Sequence, residues 1–499
     1  MDPLFEILLD LETSGTRETS KTLYRQLEAA ILDGRLVVGA KLPPTRGSQA
    51  IFRVSRNTVL EVYDKLRQKG LVVARRGSGS YVADRTAVLQ PKERQTLAQA
   101  PDARLNPLWL SPDVRHAMGF WQDQPSELAA LPDAGLVDFR PALVDSRLFP
   151  HEVFRRISAK QLRGLERKPA ALKSAQGNQG NYRLREAIVN HIGLTRAVVS
   201  GPDSVLVTSG AQQAFDLLAR TLVIPNETVV AIEDPGYPPM RAAFAAAGAR
   251  LVPVGVDEEG LLVDAIPVDA GVICVTPSHQ FPLGAAMSMA RRASLLAFAH
   301  RHGAVIIEDD YDGEFRYGDS PMEALRTGDA ADTVFYVGTF SKCMLPALRL
   351  GFIIAPDWAM PTLTAAKNCL DWHCSTPVQL AVAGFIGEGH LTHHVRKVRD
   401  IYKKRRRLLL DLLREDFGQW FDPIPSFYGM HIAAFARLPI DLERVTQALL
   451  VHNVKLHSLD RYYCGEHTRA GLVFGYGAVD LPDIRRGMAL LRQALLAAA

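Results

Sequence analysis

The stretch Thr333-Val-Phe-Tyr-Val-Gly-Thr-Phe-Ser-Lys342 decides the fold of the larger part of this chain. Its apolar run 334–337 is rich in strand-forming residues and predicts a β-strand that is buried on both faces. The glycine after this run breaks it and places Thr339, Ser341 and Lys342 just beyond the carboxyl end of the strand, where open α/β sheets bind their ligands. Since a second apolar run comes directly after Lys342, we expect a partly desolvated amine with a lowered pKa and increased nucleophilicity.

An amine of this kind forms a Schiff base with an aldehyde, above all with that of pyridoxal phosphate (PLP). A lone Ser-Lys pair is more often part of a surface loop, so it does not establish a PLP site by itself. The prediction depends on whether the chain also supplies a phosphate cradle, an aromatic ring to stack on the cofactor, and a carboxylate for its pyridine nitrogen.

The length of 499 residues predicts two or three domains. No apolar stretch reaches the roughly 18–20 residues of a membrane span, and the first residues lack the basic and apolar regions of a signal peptide. The five cysteines are scattered, odd in number and without two ligand pairs at zinc spacing. We therefore expect a cytoplasmic protein with no metal site and no membrane partner.

Residues 21–82 show the pattern of three helices followed by a β-hairpin. Apolar residues recur at helical spacing over 23–31 and again over 59–66, and Ser55 can cap the later helix at its N-terminus. Two short apolar runs then enclose a basic, glycine-containing tip. Helix, helix-turn-helix and hairpin together predict a winged helix-turn-helix domain.

Positive charge is concentrated in this segment, where residues 41–82 contain nine Lys and Arg against two acids, a net charge of +7. Such a density is typical of phosphate binding, and recognition helices place their first residues against base edges. Arg56 and Asn57 suit guanine and adenine, and the other arginines suit the DNA backbone. The alternative is a basic module that binds protein. The candidate DNA-binding residues are Arg46, Ser55, Arg56, Asn57, Thr58, Arg75, Arg76, Gly77 and Gly79.

The motifs Leu42-Pro-Pro-Thr-Arg46, Val54-Ser-Arg-Asn-Thr-Val59 and Gly77-Ser-Gly-Ser-Tyr-Val82 resemble those of the GntR-type winged helix. The resemblance implies a DNA-binding domain over residues 15–84. Residues 85–130 then lose periodicity and are polar and proline-containing, which predicts a linker.

From the end of that linker onward, buried strands alternate with helical segments, the pattern of a mainly parallel sheet. The predicted strand 204–208 ends in a glycine turn at a helix N-terminus, which is a phosphate cradle. Its residues are Ser209, Gly210, Ala211 and Gln212. The next strand leads to Tyr237, whose ring can stack on a planar cofactor. A third leads to His279, which can reach a ring hydroxyl.

Two further strands complete the set. The strand 304–307 delivers acidic residues, one of which can pair with a protonated pyridine nitrogen, and Tyr311, which can bond the ring oxygen. The strand 334–337 delivers Lys342 for the Schiff base, with Thr339, Ser341 and Arg349 as phosphate ligands. Each signal is weak alone, but the five strand ends together indicate a PLP site.

Residues 131–499 resemble a fold-type I, aspartate-aminotransferase-like domain, and the motifs 308–317 and 338–349 match the MocR/GabR family of regulators. The resemblance implies an α/β fold with a mainly parallel sheet, a small C-terminal α+β subdomain, PLP as cofactor and a homodimer. It assigns Asp309 to the pyridine nitrogen, Tyr311 to the ring oxygen, Tyr237 to stacking and Lys342 to the Schiff base.

Several positions depart from the aminotransferase pattern. Ala175 stands where a tyrosine commonly reaches the partner's phosphate, and Phe281 replaces an asparagine. Residues 238–240 lack an arginine that some relatives carry for an effector carboxylate. Arg469 is the candidate for a different group, the arginine near the C-terminus that binds the carboxylate of the substrate or effector.

Taken together, these features predict a PLP-dependent, DNA-binding transcriptional regulator. We expect the winged helices of a homodimer to bind double-stranded operator DNA, and the large domain to hold PLP as an aldimine on Lys342. PLP itself, or a small amine or amino acid, would then shift a conformational equilibrium. The main alternative is an active aminotransferase carrying a DNA-binding module, so any transaminase activity of the regulator is expected to be partial at most. A third possibility is a dimerisation domain that has lost PLP.

Overall fold

A computed structural model describes residues 16–45, 48–52, 54–75, 79–83, 104–120, 135–167, 177–318, 323–465 and 469–498. The chain divides into two compact units, 1–102 and 103–499. This boundary lies inside the segment predicted as a linker, whose second part belongs to the larger unit. Within the described ranges, no helix combines the length and the apolar character that a membrane crossing requires.

The smaller unit is the predicted winged helix-turn-helix. Its elements are α1 (Thr16–Leu32), α2 (Ser48–Phe52), α3 (Arg56–Gln68), β1 (Val72–Arg75) and β2 (Gly79–Val82). Leu23 and Leu27 of α1 are fully buried against Val59 and Val62 of α3, as the helical spacing predicts. The strands β1 and β2 form an antiparallel hairpin. The Tyr63 hydroxyl donates to the Pro43 carbonyl at 3.0 Å, which ties α3 to the chain before α2.

The larger unit contains eleven described helices and fourteen described strands. The helices are α4 (Pro112–Phe120), α5 (His151–Glu166), α6 (Tyr182–Arg196), α7 (Ala211–Leu222), α8 (Pro238–Ala246), α9 (Met289–His302), α10 (Met360–Leu370), α11 (Thr376–Gly387), α12 (His390–Glu415), α13 (Leu442–Val451) and α14 (Leu481–Ala498). The strands are β3 (Val137–Asp138), β4 (Val205–Thr208), β5 (Val229–Asp234), β6 (Arg250–Asp257), β7 (Gly260–Leu261), β8 (Ala270–Val275), β9 (Val305–Asp310), β10 (Val334–Thr339), β11 (Gly351–Ile354), β12 (Phe421–Pro423), β13 (His431–Ala436), β14 (Val454–Lys455), β15 (His457–Ser458) and β16 (Gly471–Gly475).

Eight of these strands form one sheet in the order β4-β11-β10-β9-β8-β5-β6-β7. The strands β10, β9, β8, β5 and β6 are parallel to their neighbours in this run. The strand β11 is antiparallel to both β10 and β4, so β4 points the same way as the parallel set. The carboxyl ends of all five strands predicted to carry site residues therefore lie along one edge of the sheet.

Burial on both faces explains why these strands are continuous apolar runs. In β9, Ile306 packs into one hydrophobic cluster and its neighbour Ile307 into another, because successive side chains point to opposite faces. In β10, Val334 and Val337 divide in the same way. Such sheets depend on helices covering both faces.

The C-terminal part is the predicted small α+β subdomain. It contains a four-stranded antiparallel sheet in the order β12-β13-β16-β15, packed with α12, α13 and α14. The short strand β3 pairs in parallel with β14, with Val137 beside Val454. This pairing carries the segment 139–143 from the subdomain to the end of the large sheet.

Candidate cofactor-binding site and candidate DNA interface

A cavity of about 1010 Å³ lies at the carboxyl edge of the large sheet. Its size and its mixture of apolar walls with a few polar groups are typical of a small-molecule site. Ten of the predicted cofactor residues line it: Ser209, Ala211, Gln212, Tyr237, Asp309, Tyr311, Thr339, Ser341, Lys342 and Arg349. Gly210 lies against the Arg349 guanidinium. His279 does not line the cavity but is hydrogen-bonded to the Tyr311 hydroxyl, so Tyr311 separates it from the cavity.

Lys342 is half-buried, and its Nζ donates to the Ala142 carbonyl at 2.8 Å. Burial lowers the pKa of this amine to about 8, against the opposing pull of Asp312 and Asp309, which stabilise its charged form. A substantial neutral fraction therefore exists near neutral pH, as nucleophilic attack on an aldehyde requires.

The rate at which cofactor-free protein captures PLP should rise with pH and level off above about 8, since only the neutral amine attacks. Stopped-flow absorbance over a pH series measures this rate. An acetylated free lysine, measured in parallel, corrects for the titration of PLP itself. A protein midpoint near the ordinary lysine value of 10.5 would contradict the desolvation of Lys342.

Two adjacent acids of β9 face opposite sides of the sheet and have different partners. Asp310 is paired with Arg196 at 2.7 Å and accepts from the Tyr336 hydroxyl at 2.5 Å. Asp309 lines the cavity with 4% exposure, and among the described residues its Oδ1 has no hydrogen-bond partner. Burial, followed by the charges of Asp310 and Asp312, raises the pKa of Asp309 well above its ordinary value. A protonated pyridine nitrogen supplies both the donor and the positive charge that this carboxylate lacks, so the site fits PLP.

The turn before α7 and the end of β10 form a polar cup. The Arg349 Nη2 donates to the Ser209 carbonyl at 3.1 Å, and the Thr339 hydroxyl donates to Ser341 Oγ at 3.0 Å. Because the first N–H groups of a helix have no partner inside the helix, the N-terminus of α7 adds donors and a positive dipole end. This cup has the chemistry of a phosphate site.

Tyr237 is fixed by aromatic neighbours on more than one side. Its ring meets Phe281 edge-on at 5.4 Å between centroids and Phe120 at 6.2 Å. Edge-to-face contacts of this kind hold a ring in one orientation. Phe281, the departure from the usual asparagine, therefore packs against the predicted stacking residue instead of offering a donor.

The structure brings together most of the predicted residues but leaves out Arg469. This arginine is exposed, lies 3.5 Å from the centre of the Phe435 ring and does not line the cavity. The arginines that line it, among the described residues, are Arg140 and Arg349. Arg140 is held by Asp138, with Nη2 2.6 Å from Oδ2. Ala175 lies outside the described residues.

Sequence reasoning missed Arg140 and Ala142 as site residues. Both belong to the segment that β3 carries to the cavity, and this segment has neither a glycine turn nor a long apolar run to mark it. Ala142 has a φ of 59°, a left-handed conformation that is uncommon for a residue with a Cβ. That conformation is visible only in three dimensions.

The first turn of α3 presents the predicted base-reading residues to solvent. Ser55 caps the helix by accepting from the Thr58 N–H at 3.2 Å, and its hydroxyl lies 2.8 Å from the Thr58 hydroxyl. Arg56 and Asn57 are exposed. Ser55 and Thr58 therefore shape the helix N-terminus from which these two side chains project.

Ion pairing is uneven along this basic surface. Lys65 pairs with Glu61 at 2.6 Å, Lys69 pairs with Glu28 at 2.8 Å, and a third pair joins Arg67 to Asp64. Within the described ranges Arg56 has no acidic partner.

The hairpin adds a second exposed group. Arg75 lies over the Tyr81 ring at 4.8 Å, and Gly79, its partner across the hairpin, is exposed. Arg46, Arg76 and Gly77 lie outside the described residues. Among the described residues, Arg56 at the start of the recognition helix and Arg75 on the hairpin therefore have no acidic partner.

Two family models match the chain. Residues 19–82 match the model of bacterial regulatory proteins of the gntR family, and residues 149–459 match that of aminotransferase class I and II. The winged helix and the cavity-bearing unit therefore each have a counterpart in a known family.

Individual relatives match over nearly the whole chain. A probable rhizopine catabolism regulatory protein, MocR, of Rhizobium meliloti is 32% identical over 98% of this chain and 96% of its own length. The pyridoxine biosynthesis transcriptional regulator PdxR of Corynebacterium glutamicum is 30% identical, with 95% of each protein covered. Among solved structures, the α-aminoadipate aminotransferase LysN of Thermus thermophilus, in complex with a phosphopyridoxyl-leucine, superimposes with a TM-score of 0.67 at 26% identity, covering 77% of this chain and 97% of LysN.

Proposed function

Because the chain belongs to the MocR-type family of transcriptional regulators, we propose that it senses PLP or a small amine through Lys342 and changes its affinity for operator DNA in response. In this family a gntR-family winged helix precedes an aminotransferase class I and II domain. The protein is a PLP-dependent, DNA-binding transcriptional regulator.

One observation carries the proposal: the amine of Lys342, the Asp309 side chain and the Ser209–Arg349 cup line the same cavity, and Asp309 Oδ1 has no hydrogen-bond partner among the described residues. When bound, PLP supplies an electrophilic aldehyde and an electron-withdrawing ring. Lys342 would hold the aldehyde carbon, Asp309 the pyridine nitrogen and Tyr311 the ring oxygen. Tyr237 would stack on the ring. The phosphate would lie among Ser209, Gly210, Ala211, Gln212, Thr339, Ser341 and Arg349.

Sensing follows from linkage between two binding events. A small amine or amino acid that displaces Lys342 from the cofactor frees the lysine side chain inside the larger unit. If the two conformations of the protein differ in affinity for that ligand, the ligand shifts their populations, and DNA affinity changes by the same coupling free energy. We place this regulator in the cytoplasm as a homodimer, whose two winged helices would favour a repeated or palindromic operator.

The test measures two quantities in the same samples of full-length protein. The visible spectrum is recorded as PLP and then amines and amino acids are added, and affinity for operator DNA is measured at each addition. An addition that alters the spectrum is expected to alter DNA affinity as well, since coupling is reciprocal. Spectral changes with no change in DNA affinity across the panel would contradict sensing.

The alternative of an active aminotransferase is supported by the nucleophilic Lys342 amine beside the cavity and by the similarity to LysN. A turnover assay with amino-acid and keto-acid pairs separates the two functions. Sustained multiple turnover would favour the enzyme, and a single half-reaction at most is expected of a regulator.

Replacing Arg56 with alanine is expected to weaken specific DNA binding by about 1–3 kcal/mol, because Arg56 is exposed at the start of the recognition helix and suits a guanine edge. Binding isotherms at one salt concentration, on an operator fragment selected from random-sequence DNA and on an unrelated fragment, measure the effect.

Arg67→Ala is the matched control, since it removes the same charge from the other end of α3, where Arg67 is paired with Asp64. It is expected to have a smaller effect, alike on both fragments. Equal losses for the two variants would mean that Arg56 contributes charge alone and reads no base.

A further inference from the structure

Behind Tyr311 lies a buried polar group that the proposed function does not use. His279 Nδ1 lies 2.7 Å from the Tyr311 hydroxyl and 3.0 Å from Asp312 Oδ2. All three residues are at least nine-tenths buried, and of the three only Tyr311 lines the cavity. We propose that His279, held between Asp312 and Tyr311, directs the hydroxyl hydrogen of Tyr311 toward the ring oxygen of bound PLP, and so sets the pH at which the lysine-bound cofactor changes its absorption.

The chain is built to hold an imidazole at this position. A Cβ on Gly429 would collide with the His279 ring, and a Cβ on Gly284 would lie 3.2 Å from Nε2. Both glycines have left-handed φ values near +80°, so their backbones approach the ring where other residues are disfavoured. On a further side the His431 ring lies 4.5 Å away between centroids, tilted by 44°. The imidazole therefore has little freedom to rotate away from Tyr311.

The position of the single ring proton of His279 follows from its partners. Burial lowers the pKa of His279 to about 3, so the imidazole is neutral at neutral pH. Among the described residues, Nε2 has no hydrogen-bond partner. A proton on Nε2 would be a buried donor without an acceptor, whereas a proton on Nδ1 meets the Asp312 carboxylate and the Tyr311 oxygen. The Nδ1–H tautomer is therefore the favoured one.

That tautomer decides what the Tyr311 hydroxyl can do. When Nδ1–H is shared between Asp312 and Tyr311, the Tyr311 oxygen accepts, and its own hydrogen must find another acceptor. Within the described part of the chain, the acceptors in reach are the His279 carbonyl at 3.2 Å and the Asp312 side chain. With PLP bound, the negatively charged ring oxygen is a better acceptor than the carbonyl, while the Asp312 side chain still accepts from Nδ1–H. This step rests on the proposed function, in which Tyr311 meets that oxygen.

The charged and titratable groups that face His279 come from several packed elements. Tyr311 and Asp312 are contributed by the loop after β9, His431 by β13 and Arg406 by α12. Arg406 disfavours a positive charge on His279, and burial keeps His431 neutral by lowering its pKa well below the ordinary value. His279 thus acts by the direction of its hydrogen bond and not by gaining charge.

The test is a pH titration of the visible band of the lysine-bound cofactor. A hydrogen bond donated to the ring oxygen lowers the affinity of that oxygen for the proton it shares with the lysine nitrogen. His279→Gln and Tyr311→Phe are both expected to raise the midpoint by about one pH unit, the size expected for one hydrogen bond to a charged group. The double variant is expected to shift no further than Tyr311→Phe alone, because His279 acts only through Tyr311.

His431→Gln is the matched control, since it changes a buried imidazole beside His279. Among the described residues, this imidazole has no hydrogen bond to Tyr311. The midpoint of the His431→Gln protein is expected to equal that of the wild type. His279→Leu, which has no hydrogen-bond donor, provides a second variant if His279→Gln does not fold. An unchanged midpoint in the His279 variants, or a shift that adds to that of Tyr311→Phe, would overturn the inference. So would a stoichiometric metal ion in the purified protein, because it would occupy the imidazole nitrogens. A wild-type protein with no visible band would instead refute the proposed function.

Discussion

Replacing Lys342 with alanine is expected to abolish the visible band of the PLP-loaded protein and the permanent attachment of PLP after borohydride reduction. The physical reason is that the Lys342 amine is the cavity-lining amine whose pKa burial lowers to about 8. The intrinsic DNA affinity should remain, since the substitution lies in the larger unit. The response of DNA binding to PLP should be lost. Absorbance, mass spectrometry after reduction and DNA binding isotherms measure these outcomes.

Lys342→Arg is the matched control because it keeps a positive charge able to donate to the Ala142 carbonyl but cannot form a Schiff base. Both variants should lack the band. If alanine but not arginine impairs folding, the positive charge is structural. If the band survives in both variants, another amine carries PLP, and the fully buried Lys367, paired with Asp371 at 2.5 Å, would be the next candidate.

Replacing Asp309 with asparagine is expected to raise the Kd for PLP by about two to three and a half orders of magnitude, because breaking one side of a buried ion pair costs about 3–5 kcal/mol and about 1.4 kcal/mol corresponds to tenfold. The expectation follows from two observations: Asp309 lines the cavity, and its Oδ1 has no hydrogen-bond partner among the described residues. Equilibrium titration of cofactor-free protein with PLP measures the Kd, and the spectrum should change as well, since the ring nitrogen loses its counterion.

Asp310→Asn tests directly whether the side chains of Asp309 and Asp310 lie on opposite faces of β9. Asp310 lies on the other face, paired with Arg196 and bonded to Tyr336, so its substitution should lower the free energy of unfolding and leave the Kd for PLP nearly unchanged. A large rise in Kd for Asp310→Asn with none for Asp309→Asn would exchange the two roles.

Local patterns were enough to predict the elements of the winged helix and the five strands that carry the candidate cofactor site. The apolar run 334–337 forms the first four residues of β10, and the apolar residues over 59–66 form the buried side of α3. Both patterns depend on the period of a single element and on its burial, which nearby residues determine. The motif residues at strand ends were predictable for the same reason, since a strand that stops at a sheet edge must deliver the next residues of the chain to that edge.

The depth of a residue behind the cavity surface was not predictable in this way. His279 was expected at the ring hydroxyl, but the imidazole lies behind Tyr311, where Gly429 leaves room for it. Arg469 was expected near an effector, but it stacks on Phe435 outside the cavity. The position of His279 depends on Gly429, more than a hundred residues further along the chain, and that of Arg469 depends on Phe435 in another strand. The spacing of residues within one helix or strand does not indicate such contacts.

By itself, the sequence determined that a basic winged helix precedes a PLP-type α/β unit, and which residues stand at the strand ends. Only the tertiary structure decided that β11 runs between β4 and β10, and that the segment after β3 brings Arg140 to the cavity and the Ala142 carbonyl to Lys342. The reason is physical: helix and strand periods are set by neighbouring residues, whereas the pairing of distant strands is set by the apolar area that the whole chain buries together.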